Sequence, residues 1–324
     1  MALRWRGCAV PDLCASGHEF GRVGLVIGGN SAEREVSLDG GRAVASALAR
    51  KGVDHEVYDG APALFTAISA GRVDRVFNLL HGPGGEDGTL QGALELMGVP
   101  VTGSGVLGSA LTMDKVRSKW VFQRCGIPTP DFVVLEAGDD AQEVTGKDFQ
   151  PPLFVKPVGQ GSSVGVSKVS RWDQFDTAVE DARRYGDTVI VEPAVEGPEF
   201  FAGILDGSCL PLIRVETPHE FYDYAAKYES DETRYFCPCG LPRELEEELQ
   251  ALSLKAFQVL DASGWGRVDF LLNENREPRF LEVNTTPGMT DHSLVPQAAA
   301  QVGIGFDDLV WKILETSMVI DEPQ

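Results

Sequence analysis

No segment of the 324-residue chain approaches the roughly 20 consecutive apolar residues that cross a bilayer, which excludes a helical membrane span. Positive charge is also scarce. Against 49 Asp and Glu there are 28 Lys and Arg, a net charge of −21, so neither a nucleic acid nor an anionic membrane is expected as a partner. An anionic substrate must therefore be captured by a local cluster of cations. Paired cysteines are missing too. Cys8, Cys14, Cys125, Cys209, Cys237 and Cys239 make no CxxC spacing, and no second Cys/His pair stands near Cys237-Pro238-Cys239. A four-ligand zinc site is thus not expected, and the thiols read as reduced residues of a cytoplasmic protein. The first twenty residues lack the apolar core of about 7–15 residues that a signal peptide needs, and residues 1–21 are expected to form a disordered leader without function.

What is present suits a globular enzyme. At 43% hydrophobic residues the chain can bury a sizeable core, and its length suggests two or three domains of roughly 100–200 residues. "RVGLVIGG" reads as a buried strand, Val23 to Ile27, ending in glycines. "GRAVASALARKG" reads as a helix with Ala43, Val44, Ala47 and Leu48 on one face and Gly52 as its stop. Further strands at "DHEVYDG" and "RVFNLLHG", separated by the helical "APALFTAISAGR", predict a parallel sheet with functional loops at its strand ends. A glycine-punctuated segment then leads to the helix "DKVRSKWVFQRCG". Beyond it lie "PLFVKP", a glycine loop, "VGVSKV", the helix "RWDQFDTAVEDARRYG" and the strand "TVIVEPAV". The long amphipathic helix "RELEEELQALSLKAFQVLDASG" precedes two strands, "WGRVDFLL" and "RFLEVNTTPG". The boundaries expected are 22–105, 106–191 and 192–318.

Two patterns carry chemistry. In "FVKPVGQGSSVGVSKV" the lysine precedes the glycines and a strand follows them, the reverse of a Walker A loop. Such a loop joins two antiparallel strands and can fold over phosphates as a flap. Gly159, Gly161 and Gly165, with Ser162 and Ser163, would cradle the anion by backbone N–H groups while Lys156 supplies a point charge. The second pattern is a set of oxygen ligands in apolar strands. Glu282 and Asn284 are two apart and share a strand face, and Asp269 would face them from a hairpin partner. Two carboxylates buried there are costly without a cation, and three hard oxygen donors suit Mg²⁺. Flap and ligands together predict a Mg–ATP site.

With "GGNSAEREVSL", "HGPGGEDGTLQG", "TGSGVLGSALTMDK", "FYDYAAKY" and "EVNTTPGMTDHSLVP" added in this order, the chain from about Arg22 to Met318 resembles the D-alanine–D-alanine ligase family of ATP-grasp enzymes. The resemblance implies an α/β, three-domain ATP-grasp fold with an N-terminal Rossmann-like parallel sheet, ATP being gripped between the second and third units. It further implies that Lys115, Lys156, Ser163 and Lys227 contact the ATP phosphates, Glu192, Pro193, Ala194 and Val195 hold adenine, and Glu199 holds ribose. Asp269, Glu282 and Asn284 would bind two Mg²⁺ or Mn²⁺ ions. Glu33 would take the ammonium of the first D-alanine and His81 would contact it. Arg267 would stabilise the transferring phosphoryl group, with Gly288 beside it. Ser293 and Leu294 would hold the carboxylate of the second substrate, and Tyr228 would bond Ser162, a positioning hydroxyl rather than a nucleophile, which would in turn bond Glu33. The implied reaction forms a D-alanyl phosphate and then D-alanyl-D-alanine for peptidoglycan synthesis, in a cytoplasmic homodimer. Three departures stand out: Pro193 where the family usually has lysine, Pro83 where it often has a basic residue, and Ala225 where a larger polar residue is common.

Alternatives from the same residues are a ligase forming a D-alanyl-D-lactate depsipeptide, a non-catalytic nucleotide-binding protein, and a dinucleotide-dependent dehydrogenase. For the last, "GGNSAE" lacks G-x-G-x-x-G.

Overall fold

Val23–Ile27 form β1, and all five residues are buried, as a strand covered on both faces requires. The computed structural model describes residues 16–218, 232–290 and 292–318. In it, β1 is the middle of a parallel sheet, between β2 (His55–Asp59) and β3 (Arg75–Asn78). Helices α1 (Arg34–Arg50), α2 (Gly60–Ser69) and α3 (Thr89–Leu96) complete this first unit. The α1 helix starts well ahead of the expected Gly41. A Cβ on Gly41 would stand 2.5 Å from Ile27 Cγ2, so the glycine that suggested a helix start is instead what lets α1 lie close against β1.

The glycine-punctuated segment contains a helix, α4 (Val106–Met113), and α5 (Lys115–Cys125) follows directly. Asp114 caps α5 by accepting from Arg117 N at 2.8 Å, and Gly126, at φ +70°, ends it. An antiparallel sheet then assembles from β4 (Val133–Leu135), β5 (Leu153–Pro157), β6 (Ser167–Val169) and β7 (Val189–Pro193), in the order β4-β7-β5-β6. Its helices are α6 (Ala141–Thr145) and α7 (Phe175–Arg183).

The last sheet comprises β8 (Glu199–Leu205), β9 (Ser208–Cys209), β10 (Ile213–Glu216), β11 (Arg234–Phe236), β12 (Trp265–Leu272) and β13 (Pro278–Asn284). Its order is β11-β10-β8-β12-β13, with β9 on β8. Helices α8 (Arg243–Val259), α9 (Leu294–Gln301) and α10 (Phe306–Glu315) accompany it. Among the described residues no helix is long and apolar enough to cross a membrane.

Packing departs from the expected boundaries. Phe122 of α5 shares a buried core with Phe280 of β13, so the helix assigned to the central unit lies on the third sheet. The boundary at 191/192 falls inside β7. Phe20, placed in the leader, is 1% exposed and meets Trp311 of α10 edge-on at 4.9 Å. The organised chain therefore starts before Arg22, because α10 closes a slot for this ring that no local pattern announces.

Candidate active site

The β12–β13 hairpin sets the floor of the site. Its register places Asp269 opposite Glu282 and Arg267 opposite Asn284. Each strand alternates its side chains, so all four project from one face. A register shift after Asp269 interrupts the ladder there, a common device for re-aiming side chains beside a site. Arg267 donates from Nε and Nη2 to the two Asp269 oxygens at 2.6 Å each, a bidentate pair that offsets the cost of burying the carboxylate. Lys115 Nζ lies 3.4 Å from Glu282 Oε2 and donates to Gln160 O at 2.5 Å. The first residue of α5 thereby ties the glycine loop to the floor.

That loop joins β5 and β6, which pair antiparallel as expected. Ser162 and Ser163 adopt φ of +46° and +61°, a conformation non-glycine residues hold only when their surroundings compel it. One compelling contact is visible: Ser162 Oγ donates to Glu33 Oε1. Glu33 is buried at the start of α1, and a Cβ on Gly161 would stand 2.9 Å from its Oε2.

Two adjoining cavities, of about 220 and 360 Å³, share Lys115, Gln160 and Glu282. Glu33, His81, Ser162, Arg267, Asn284, Gly288, Ser293 and Leu294 line the smaller one. Lys156, Ser163, Glu192, Pro193, Val195 and Glu199 line the larger. Ala194 lines neither, and its N–H donates to Pro152 O at 2.9 Å. Asp269 also lies behind the lining, held by Arg267. Ser293 is the N-cap of α9, and its Oγ accepts from Thr290 N at 3.0 Å. A Cβ on Gly288 would stand 3.0 Å from Ser293 Oγ, so a larger residue there would press on that hydroxyl. Lys227 and Tyr228, and with them Ala225, lie outside the described residues.

Two residues overlooked in the sequence shape the electrostatics. Burial pushes the Glu86 carboxyl up to about 8, with Glu33 adding repulsion, while N–H groups of Gly82 and Thr286 oppose the rise. Glu86 Oε2 accepts from Gly82 N at 2.5 Å. Its signal was an acid in the glycine-rich run after His81. Burial likewise lowers the His81 imidazole's pKa, with Glu33 partly offsetting it, so His81 is held neutral. Lys119 is the second overlooked residue. It is 1% exposed, 2.9 Å from Glu192 Oε1 and 2.7 Å from Thr129 Oγ1. Lys119 meets Oε1 of Glu192 as an ion pair without hydrogen-bond geometry, whereas Oε2 accepts from Lys156 at 2.6 Å. Burial disfavours the charge on Glu192, but the two ammonium groups outweigh it and hold the carboxyl below its ordinary range; burial also lowers the pKa of Lys119, with the Glu192 carboxylate opposing the fall.

The comparisons with known proteins point one way. The family descriptions "D-ala D-ala ligase N-terminus" and "D-ala D-ala ligase C-terminus" match residues 57–104 and 121–315. The D-alanine–D-alanine ligase of Methylococcus capsulatus is 51% identical over 92% of this chain and 96% of its own length. That of Nitrosococcus oceani is 50% identical over 92% and 94%. Among solved structures, a Bacillus anthracis D-alanine–D-alanine ligase complexed with ATP superposes with a TM-score of 0.81, at 33% identity over 92% of this chain and 97% of that one. The VanG D-Ala:D-Ser ligase of Enterococcus faecalis follows at 0.79 and 30% identity, over 91% and 99%. With its ATP-grasp architecture and half its residues shared with such relatives, the chain belongs to the D-alanine–D-alanine ligase family.

Proposed function

We propose that the chain is an ATP-dependent ligase that joins two D-alanines into D-alanyl-D-alanine, a peptidoglycan precursor, in the cytoplasm. One observation carries the reading: Glu33, Ser162, Arg267, Glu282 and Ser293, drawn from distant parts of the sequence, line a single cavity beside a second one walled by Lys156 and Glu192. A cavity with an acid at one end and an arginine within reach suits a small zwitterion. The adjoining cavity combines lysines with the apolar Phe154, Val195 and Leu281, which suits a nucleotide with a flat base.

In this reading the carboxylate of the first D-alanine attacks the γ-phosphorus of ATP, releasing ADP and leaving a D-alanyl phosphate. The amine of the second D-alanine then attacks the acyl carbon and displaces phosphate. Phosphoryl transfer calls for positioning and charge neutralisation more than for a protein nucleophile. Glu33 anchors the ammonium, Arg267 faces the oxygens that gain charge, and Lys115 and Lys156 neutralise phosphates. Ser293 and Leu294, at the N-terminus of α9, receive the second carboxylate. The family resemblance gives Lys227 a phosphate contact and Tyr228 a bond to Ser162 that would exclude water; both residues lie outside the described ones.

Glu282 and Asn284 share a strand face and line the smaller cavity, as a hard cation requires, while Asp269, the cross-strand partner of Glu282, would join them once its oxygens leave Arg267. Two magnesium or manganese ions held there would neutralise the phosphate oxygens. For the assembly we propose a homodimer, which would cover Leu96, Met97, Val106 and Leu107, apolar side chains left exposed on α3 and α4.

The test is ADP release by the purified chain with D-alanine, D-serine and D-lactate offered as second substrates, and mass identification of the product. D-Alanyl-D-alanine is expected as the main product near neutral pH, with Tyr228→Phe relaxing the preference. No ADP release with any acceptor overturns the reading.

A further inference from the structure

Lys119 lies outside both cavities, yet it is a charged side chain placed where charge is most expensive. Nothing in the reaction described above uses it. Its helix, α5, packs on the third sheet through Phe122 and Phe280, and Thr129, which accepts from Lys119 Nζ, donates in turn to Phe280 O of β13 at 2.8 Å. Its ion-pair partner Glu192 belongs instead to β7 of the central sheet. Lys119 therefore spans the two sheets that wall the nucleotide cavity, from behind.

The division of labour at Glu192 is asymmetric. Its Oε1 faces Lys119 at 2.9 Å, and its Oε2 faces Lys156 at 2.6 Å. Lys156 is the more open of the two cations and lines the cavity. When phosphates enter, Lys156 must divide its charge between them and Glu192. A buried carboxylate that loses one counter-ion needs another, and Lys119, whose side chain is enclosed, stays in place. Glu192 Oε2 then becomes free to accept from an amine on the base, beside the apolar Phe154, Val195 and Leu281.

We propose that Lys119 is a positioning residue for nucleotide selection: by holding Glu192 charged and aimed from behind the cavity, it releases Lys156 to the phosphates and keeps an acceptor ready for an amino-bearing base. The inference rests on the nucleotide cavity assigned under the proposed function. In Lys119→Met, Glu192 retains Lys156 as its sole counter-ion, so Lys156 is drawn away from the phosphates.

The experiment is steady-state kinetics of ADP release, with adenosine and inosine triphosphates as alternative nucleotides, for the unmutated chain, Lys119→Met, Glu192→Gln and the double variant. The double variant removes both charges at nearly constant volume and folds even if the single lysine variant does not. Lys119→Met is expected to raise KM for ATP by about tenfold or more, the loss of one charge-assisted contact, with kcat little changed. Preference for adenosine over inosine triphosphate should fall in parallel. Adding Lys119→Met to Glu192→Gln should change KM little further, because Lys119 acts only through Glu192. An unaltered KM in Lys119→Met, or equal effects of that substitution in both backgrounds, overturns the inference. Should the unmutated chain release no ADP, the proposed function itself fails.

Discussion

The floor and the roof of the site are built on opposite principles. The floor, β12 and β13, is a paired hairpin in which Arg267, Asp269, Glu282 and Asn284 take their shared face from strand register. The roof, the loop between β5 and β6, is held by contacts from elsewhere: Ser162 on Glu33, and Lys115 on Gln160. It carries two serines at positive φ, whereas the floor residues lie in extended strands. A ladder fixes charges where a transferring phosphoryl group needs them. A loop outside the strand ladder, with residues at positive φ, is the kind of segment that can instead open and close over a substrate. Under the proposed function the paired half would place charge and the strained half would control access.

The largest expected effect comes from the floor. Glu282→Ala should lower kcat for ADP release by roughly 10²–10³-fold, the cost of losing a preorganised charge-stabilising group, with unchanged far-UV circular dichroism. Retained activity would remove the floor from the chemistry altogether. A reference outside both halves is Phe20→Ala, which empties the slot against Trp311. A loss of about 3 kcal/mol in chemical denaturation is expected, with both kinetic constants preserved at low temperature. This replaces the expectation that the first twenty residues are dispensable.

Ser162→Ala tests the roof. Cutting its bond to Glu33 should raise KM for D-alanine by about tenfold while kcat changes less. A fall in kcat as deep as that of Glu282→Ala would abolish the distinction between the halves.

The smallest effect concerns Glu86, between floor and roof. Its carboxyl is raised to about 8 in the folded chain, above its value when unfolded. The folded state therefore holds the proton longer, and stability falls as pH rises from about 4.5 to about 8. Glu86→Gln should flatten this decline by ~1–3 kcal/mol, read from denaturation midpoints at pH 5 and pH 8. An identical pH slope in both proteins would show that Glu86 titrates normally.

Much of this was legible in the chain. Period-two spacing put Glu282 and Asn284 on one face, the lysine-first order identified a loop between antiparallel strands, and β1 was readable as five apolar residues ending in glycine. The start of α1 was not, because Gly40 and Gly41 look like a break until packing places Gly41 against Ile27 and Gly40 beside the Met289 backbone. Glu192 was visible as part of a connector, but its two lysines were not: Lys119 looks like one more cation on an amphipathic helix until α5 is docked on the third sheet.

The sequence by itself determined the local half of the site, because strand alternation and turn chemistry act between residues a few positions apart, and the family resemblance supplied the long-range bond of Ser162 to Glu33. Only the tertiary structure decided that Lys119 meets Glu192, and that Glu86 and His81 are buried enough to shift. Those outcomes depend on which surfaces are removed from water when three sheets pack together. Burial is a property of the assembled chain and leaves no periodic trace in the order of its residues.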